Sequence, residues 1–182
     1  LVAVAALAMG VTGVCLVAAS GPAGANTPTF TTTCADTPLG TLSFPVVATG
    51  SLPTSVKVKT PFKLTDSGLK LTLTNATILG FLAGQTVGGR VVTSLAVKGA
   101  SPTTKTVTYT LKALKVPSPA PKSLALTATG STASFTAAKA GKVTVSTTAT
   151  DHVSLAFEGT TVGPYTCTSS PGSLAIAKTV AT

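Results

Sequence analysis

The sequence predicts an all-β protein: a two-sheet β-sandwich of immunoglobulin-like, Greek-key type, with one disulfide joining its first and last strands. Three observations predict it. After Asn26, apolar and polar residues alternate at period two, and no window shows convincing apolar spacing of three and four. Clusters of Gly, Pro, Ser and Asp interrupt that alternation at short intervals, as turns between short strands do. Two cysteines, Cys34 and Cys167, bracket nearly all of this segment.

Taken in order, the first strand carries Cys34 and Thr41–Thr49 forms the second. Val56, Val58, Thr60, Phe62 and Leu64 then point one way while Lys57, Lys59 and Lys63 point the other, a half-buried strand with a lysine-lined outer face. Pro61 has no N–H to give a ladder, so this strand lies at a sheet edge or breaks in two. Lysines on such an edge discourage pairing with other chains. Thr65-Asp66-Ser67-Gly68 reads as the turn of a hairpin, returning through Leu69, Leu71 and Leu73 with Lys70 facing out. Further strands are expected at Thr86–Val97, Lys105–Leu114, Leu124–Thr129, Ala133–Ala138, Lys142–Thr147 and His152–Phe157, with Val153, Leu155 and Phe157 inward. Spacing of this kind suits a sandwich or a barrel, and the sandwich is the expectation. One domain is expected over residues 26–172, with 173–182 either a last strand or a tail.

The segment Leu1–Ser20 is an apolar run, closed by Gly21-Pro22 and the small-residue triplet Ala23-Gly24-Ala25. These are the parts of a signal peptide, expected at residues 1–25, truncated at its N-terminus and cleaved before Asn26. The alternatives are a membrane anchor, since about 20 apolar residues span a bilayer, and a lipid attached to Cys15. Export removes Cys15 and carries Cys34 and Cys167 into an oxidising compartment, secreted or at the cell envelope, where a disulfide between them is expected over two unpaired thiols. A loop of that length is worth about 4 to 5 kcal/mol in chain entropy if the native geometry is unstrained.

The chain offers little for catalysis: one His and four carboxylates, Asp36, Asp66, Asp151 and Glu158. Asp151 and His152 are adjacent, but neighbours on a strand face opposite sides and could pair only in a turn; a plain turn or edge pair is the expectation. No catalytic residue, cofactor site or metal site is assigned. Gly84-Gln85-Thr86-Val87-Gly88-Gly89 lacks the spacing and Lys of a phosphate loop and reads as a bulge or turn. Asn75-Ala76-Thr77 fits a glycosylation sequon, a pattern too short to carry weight in a Thr-rich chain. With no Trp and few Tyr and Phe, stacking on sugars or single-stranded nucleic acid is not expected, nor is any nucleic-acid partner.

Thr31-Thr32-Thr33-Cys34, Thr37-Pro38-Leu39-Gly40, Phe44-Pro45-Val46, Leu52-Pro53-Thr54-Ser55-Val56 and Tyr165-Thr166-Cys167 together resemble secreted actinobacterial all-β domains of unknown function, over about Phe30 to Gly172. The resemblance implies a Cys-bearing first strand and a Cys-bearing last strand bracketing the domain, and implies no activity. Where that family often has a glycine after the Pro-Thr-Ser-Val run, this chain has Lys57-Val58-Lys59.

The net charge of +9 arises because all thirteen basic residues lie at or beyond Lys57. Lys57, Lys59, Lys63 and Lys70 are the candidate contacts for an anionic partner such as a cell-wall polymer; the alternative is that they only keep the surface soluble. The function expected is that of a secreted or envelope-associated binding or structural module without enzymatic activity. A carrier of a small apolar ligand and an enzyme with a minimal Asp151/His152 site are the alternatives.

Overall fold

The structure, a computed structural model, describes residues 26–37, 40–157 and 160–182. The expected signal segment at residues 1–25 lies outside the described residues, as do Glu158 and the side chain of Phe157. Strands β1 (Thr29–Thr37), β2 (Gly40–Ser51), β3 (Ser55–Val56) and β4 (Pro61–Leu73) precede a helix, α1 (Ala76–Leu82). Then follow β5 (Thr86–Lys98), β6 (Ala100–Ser101), β7 (Thr104–Lys115), β8 (Leu124–Gly130), β9 (Ala133–Ala137), β10 (Gly141–Phe157), β11 (Thr160–Ser170) and β12 (Ala175–Ala181).

The all-β class stands, but the sandwich does not. Strands run β11-β1-β2-β4-β8-β7-β5-β10, and β10 pairs back onto β11, closing eight antiparallel strands into a barrel. Alternation could not distinguish the two, because each strand buries one face in either architecture. The difference lies in whether the terminal strands share a ladder, and here Thr31–Cys34 of β1 registers against Ser170–Cys167 of β11. Cys34 and Cys167 are directly opposite, their Cα atoms 4.1 Å apart, and form a disulfide. It therefore staples the seam where the barrel closes. Its partner strand is the penultimate one, because residues 175–181 form β12.

The expected hairpin at Thr65–Gly68 is instead a bulge within one 13-residue strand, β4. Asp66 there adopts φ 50°, a left-handed conformation that Asp tolerates better than most residues. Burial moves from Phe62 and Leu64 to Ser67, Leu69 and Leu71, so one extra residue shifts the alternation by one. The bulge also changes partners. Before it, Pro61–Leu64 pairs with β9, and after it Gly68–Leu73 pairs with β8 on one side while Gly68–Leu71 meets β2 on the other. Lys57 and Lys59 do not share a strand with Lys63; they sit in the turn between β3 and β4, with Lys59 at φ 61°.

β10 does the same at 17 residues: its first half pairs with β12 and its second with β11, across a register shift between Thr147 and Asp151. The two expected strands are one. β3, β6, β9 and β12 thus form an annex beside the barrel, built on the extended ends of barrel strands, with Phe62 and Phe135 paired across β4 and β9 at a ring separation of 6.0 Å. Barrel and annex share a continuous apolar core.

α1 was not expected. Its seven residues are too short to display a helical period in a Thr-rich context, yet Asn75, considered above only as a sequon, is its N-cap, accepting a hydrogen bond from the Ile78 N–H at 3.1 Å. Ile78, Leu79 and Leu82 point inward and close one end of the barrel.

Candidate functional site

An eight-stranded barrel is just wide enough for its own side chains to fill. Phe30, Phe44, Val46, Leu71, Val91 and Val153 project inward from its walls, and one polar chain runs among them. Asp151 on β10 is buried, and the Ser169 hydroxyl of β11 donates to its Oδ2 at 2.9 Å. Ser169 Oγ also lies 3.1 Å from Thr32 Oγ1 of β1. Since the Ser169 proton is committed to the carboxylate, Thr32 is the donor in that pair. Thr93 of β5, whose hydroxyl donates to Ser94 O at 3.4 Å, lines the same space and also favours the charged carboxylate. Burial pushes the Asp151 carboxyl above its ordinary value; Thr93, the bond from Ser169 and the nearby His152 oppose that rise without cancelling it.

A second buried pair lies on the neighbouring walls, with Ser67 Oγ donating to Tyr109 Oη at 2.8 Å. Burial raises the Tyr109 hydroxyl too, with the Asp151 charge a smaller contribution in the same direction. Gly130 makes the ring fit: a Cβ there would stand 2.6 Å from both Ser67 Oγ and Tyr109 Cε1. Among the described residues, no buried side-chain nitrogen or oxygen lacks a partner.

His152 is exposed on the outer face of β10 while Asp151 faces in, so the wall of the barrel separates them. They are neither a dyad nor a turn pair. The cavity beside Asp151 measures ≈ 10 Å³ and the one beneath α1, lined by Leu42, Leu73, Ile78, Leu82, Val87 and Leu155, ≈ 20 Å³. Such spaces suit about one water, whereas even benzene fills a cavity of about 150 Å³. The carrier alternative finds no room in either. Among the described residues no three His, Cys, Asp or Glu side chains group as metal ligands.

Outside, the charge is one-sided. Among the described residues, all thirteen Lys and Arg side chains are exposed, against the exposed Asp36 and Asp66. Lys57, Lys59 and Lys63 project from the β3–β4 turn and the annex half of β4, while Lys70 lies past the bulge, against Thr127 of β8. The structure brings the first three into one stretch and sets Lys70 on the barrel wall. Sequence reasoning missed the interior chain around Asp151. The signal was present: Val153 was read as inward, and two residues earlier on the same strand lies Asp151.

A family model describing a family of unknown function matches residues 31–176, most of the chain. The chain belongs to the DUF6801 family. DUF6801 membership covers the whole of the barrel seam, both cysteines included. A comparison with curated proteins returned no match. Among solved structures, the DUF6801 chain is similar to a crystal structure from Corynebacterium diphtheriae, provisionally named a membrane anchored protein, with a TM-score of 0.54 and 19% identity. The alignment covers 86% of this chain and 38% of that one, so the likeness is one of fold, over less than half of the larger protein. The disulfide is consistent with an extracellular location. No helix among the described residues is long and apolar enough to cross a membrane.

Proposed function

We propose that this DUF6801 domain is a secreted or envelope-associated, non-enzymatic module that works through its outer surface, holding anionic polymers of the cell wall by its lysines. The observation that carries this reading is the charge partition. Basic side chains are all outside, and Asp151, one of the few acids, is inside. A filled interior and a histidine cut off from the buried carboxylate give an active site little to work with, which supports a binding or structural role.

Attraction between exposed charges fades as the Debye length shrinks from about 10 Å at 0.1 M salt to about 3 Å at 1 M. Purified cell walls titrated with the domain should therefore retain it at low salt and release it at high salt. A variant carrying Lys57→Gln, Lys59→Gln and Lys63→Gln should bind several-fold more weakly at low salt. Retention unchanged by both salt and the triple substitution rules the reading out.

A further inference from the structure

Two large apolar side chains left in solvent lie at the same end of the barrel: Phe81 of α1, 56% exposed, and Leu114 of β7, 39% exposed. The backbone brings their segments together. Gly84 N–H donates to Val116 O at 3.0 Å and Val116 N–H to Gln85 O at 2.9 Å, so the turn after α1 is stitched to the end of β7. The Gln85 side-chain amide in turn donates to Phe81 O at 2.7 Å. Phe81 cannot turn inward, because Ile78, Leu79 and Leu82 already occupy the buried face of this short helix.

Lysines surround the pair. Lys112 and Lys115 flank Leu114 on β7, and Lys122 lies just before β8, whose first residue, Leu124, registers against Leu73 at the same end of β4. All three are exposed. Among the described residues the exposed acids lie elsewhere: Asp36 is on β1, four strands from β7 around the closed wall, and Asp66 is in the β4 bulge.

We propose that this end of the barrel docks on an anionic lipid surface, with Phe81 and Leu114 entering the interfacial layer and Lys112, Lys115 and Lys122 meeting the headgroup phosphates. A wall polymer would satisfy the lysines and leave the Phe and Leu side chains in water. A bilayer interface takes both, since apolar side chains enter the headgroup boundary while basic ones hold to anionic lipid. The surface is separate from Lys57, Lys59 and Lys63, so it stands or falls independently of wall binding.

The natural sequence has no Trp, so Phe81→Trp supplies a single fluorescent reporter. Mixed with vesicles of equimolar phosphatidylglycerol and phosphatidylcholine, its emission should shift to the blue and be quenched by brominated acyl chains; pure phosphatidylcholine vesicles should do neither. In co-sedimentation, the Phe81→Ser, Leu114→Ser double variant should lose about tenfold in affinity for the anionic vesicles. Its thermal unfolding and wall retention should match the parent. No blue shift with anionic vesicles, an equal shift with neutral ones, or undiminished sedimentation of the double variant each overturns the proposal. A double variant that keeps vesicle binding but loses capture of another protein likewise shows a protein interface instead.

Discussion

Asp151 occupies a position on β10 where the alternation calls for an apolar side chain, and the barrel accommodates it with hydroxyls from three other strands: Thr32, Thr93 and Ser169. Its carboxyl is raised above the ordinary value near 3.8, chiefly because burial disfavours the charge. The folded state thus holds the proton more tightly than the unfolded chain does. The resulting stabilisation is complete below the unfolded value and is lost as pH rises through the higher folded value. Most paired carboxylates act in the reverse sense. Asp151→Asn keeps an acceptor for Ser169 and removes the charge, so its melting temperature relative to the parent should climb as pH rises from about 3 toward neutrality. Thermal unfolding followed by circular dichroism across that range checks this, and a difference that is flat or falls with pH contradicts it. In the sequence this residue was half visible. It lies two residues before the inward Val153, but the strand was expected to begin only at His152 and the Asp151–His152 pair to sit in a turn or at an edge, because a bulge and a turn draw on the same small polar residues.

At the scale of elements, alternation located the barrel strands well and their breaks poorly. Thr65–Gly68 in β4 and Thr148–Thr150 in β10 carry turn-like residues, yet both strands continue through them. A local reading cannot tell a strand that reverses from one that shifts its pairing, since the outcome depends on whether β9 and β12 are waiting to take up the other half. The short helix was hidden for a different reason: its stability comes from three buried side chains and one cap, not from a run of helix-forming residues. Asn75→Ala should therefore cost about 1 kcal/mol. Hydrogen exchange resolves where the loss falls. The Leu79 amide, bonded to Asn75 O at 3.0 Å, should exchange faster, while amides of β5 and β10 are little changed.

For the whole molecule, the two cysteines were legible as a pair and their architectural meaning was not. Counting residues of one type reveals a covalent partner, whereas closure of a barrel depends on strand tilt and stagger that no single segment encodes. The candidate lysines were legible because charge is a local property, but their grouping followed a strand that the structure breaks at the β3–β4 turn. Because the disulfide sits on the closing ladder, its loss should loosen the seam and the unfolded chain together. Replacing both cysteines by Ser should cost about 2 to 5 kcal/mol in denaturant unfolding. A double variant as stable as the parent would show that the β1–β11 ladder closes unaided. The bridge also sets how the domain answers a mechanical load. Tension entering at Asn26 reaches Cys34, crosses the bridge to Cys167 and leaves toward Thr182, so it can peel away the outer ends of β1, β11 and β12 but cannot draw out the chain between the cysteines. While the bond holds, the barrel transmits force as a link of nearly fixed length.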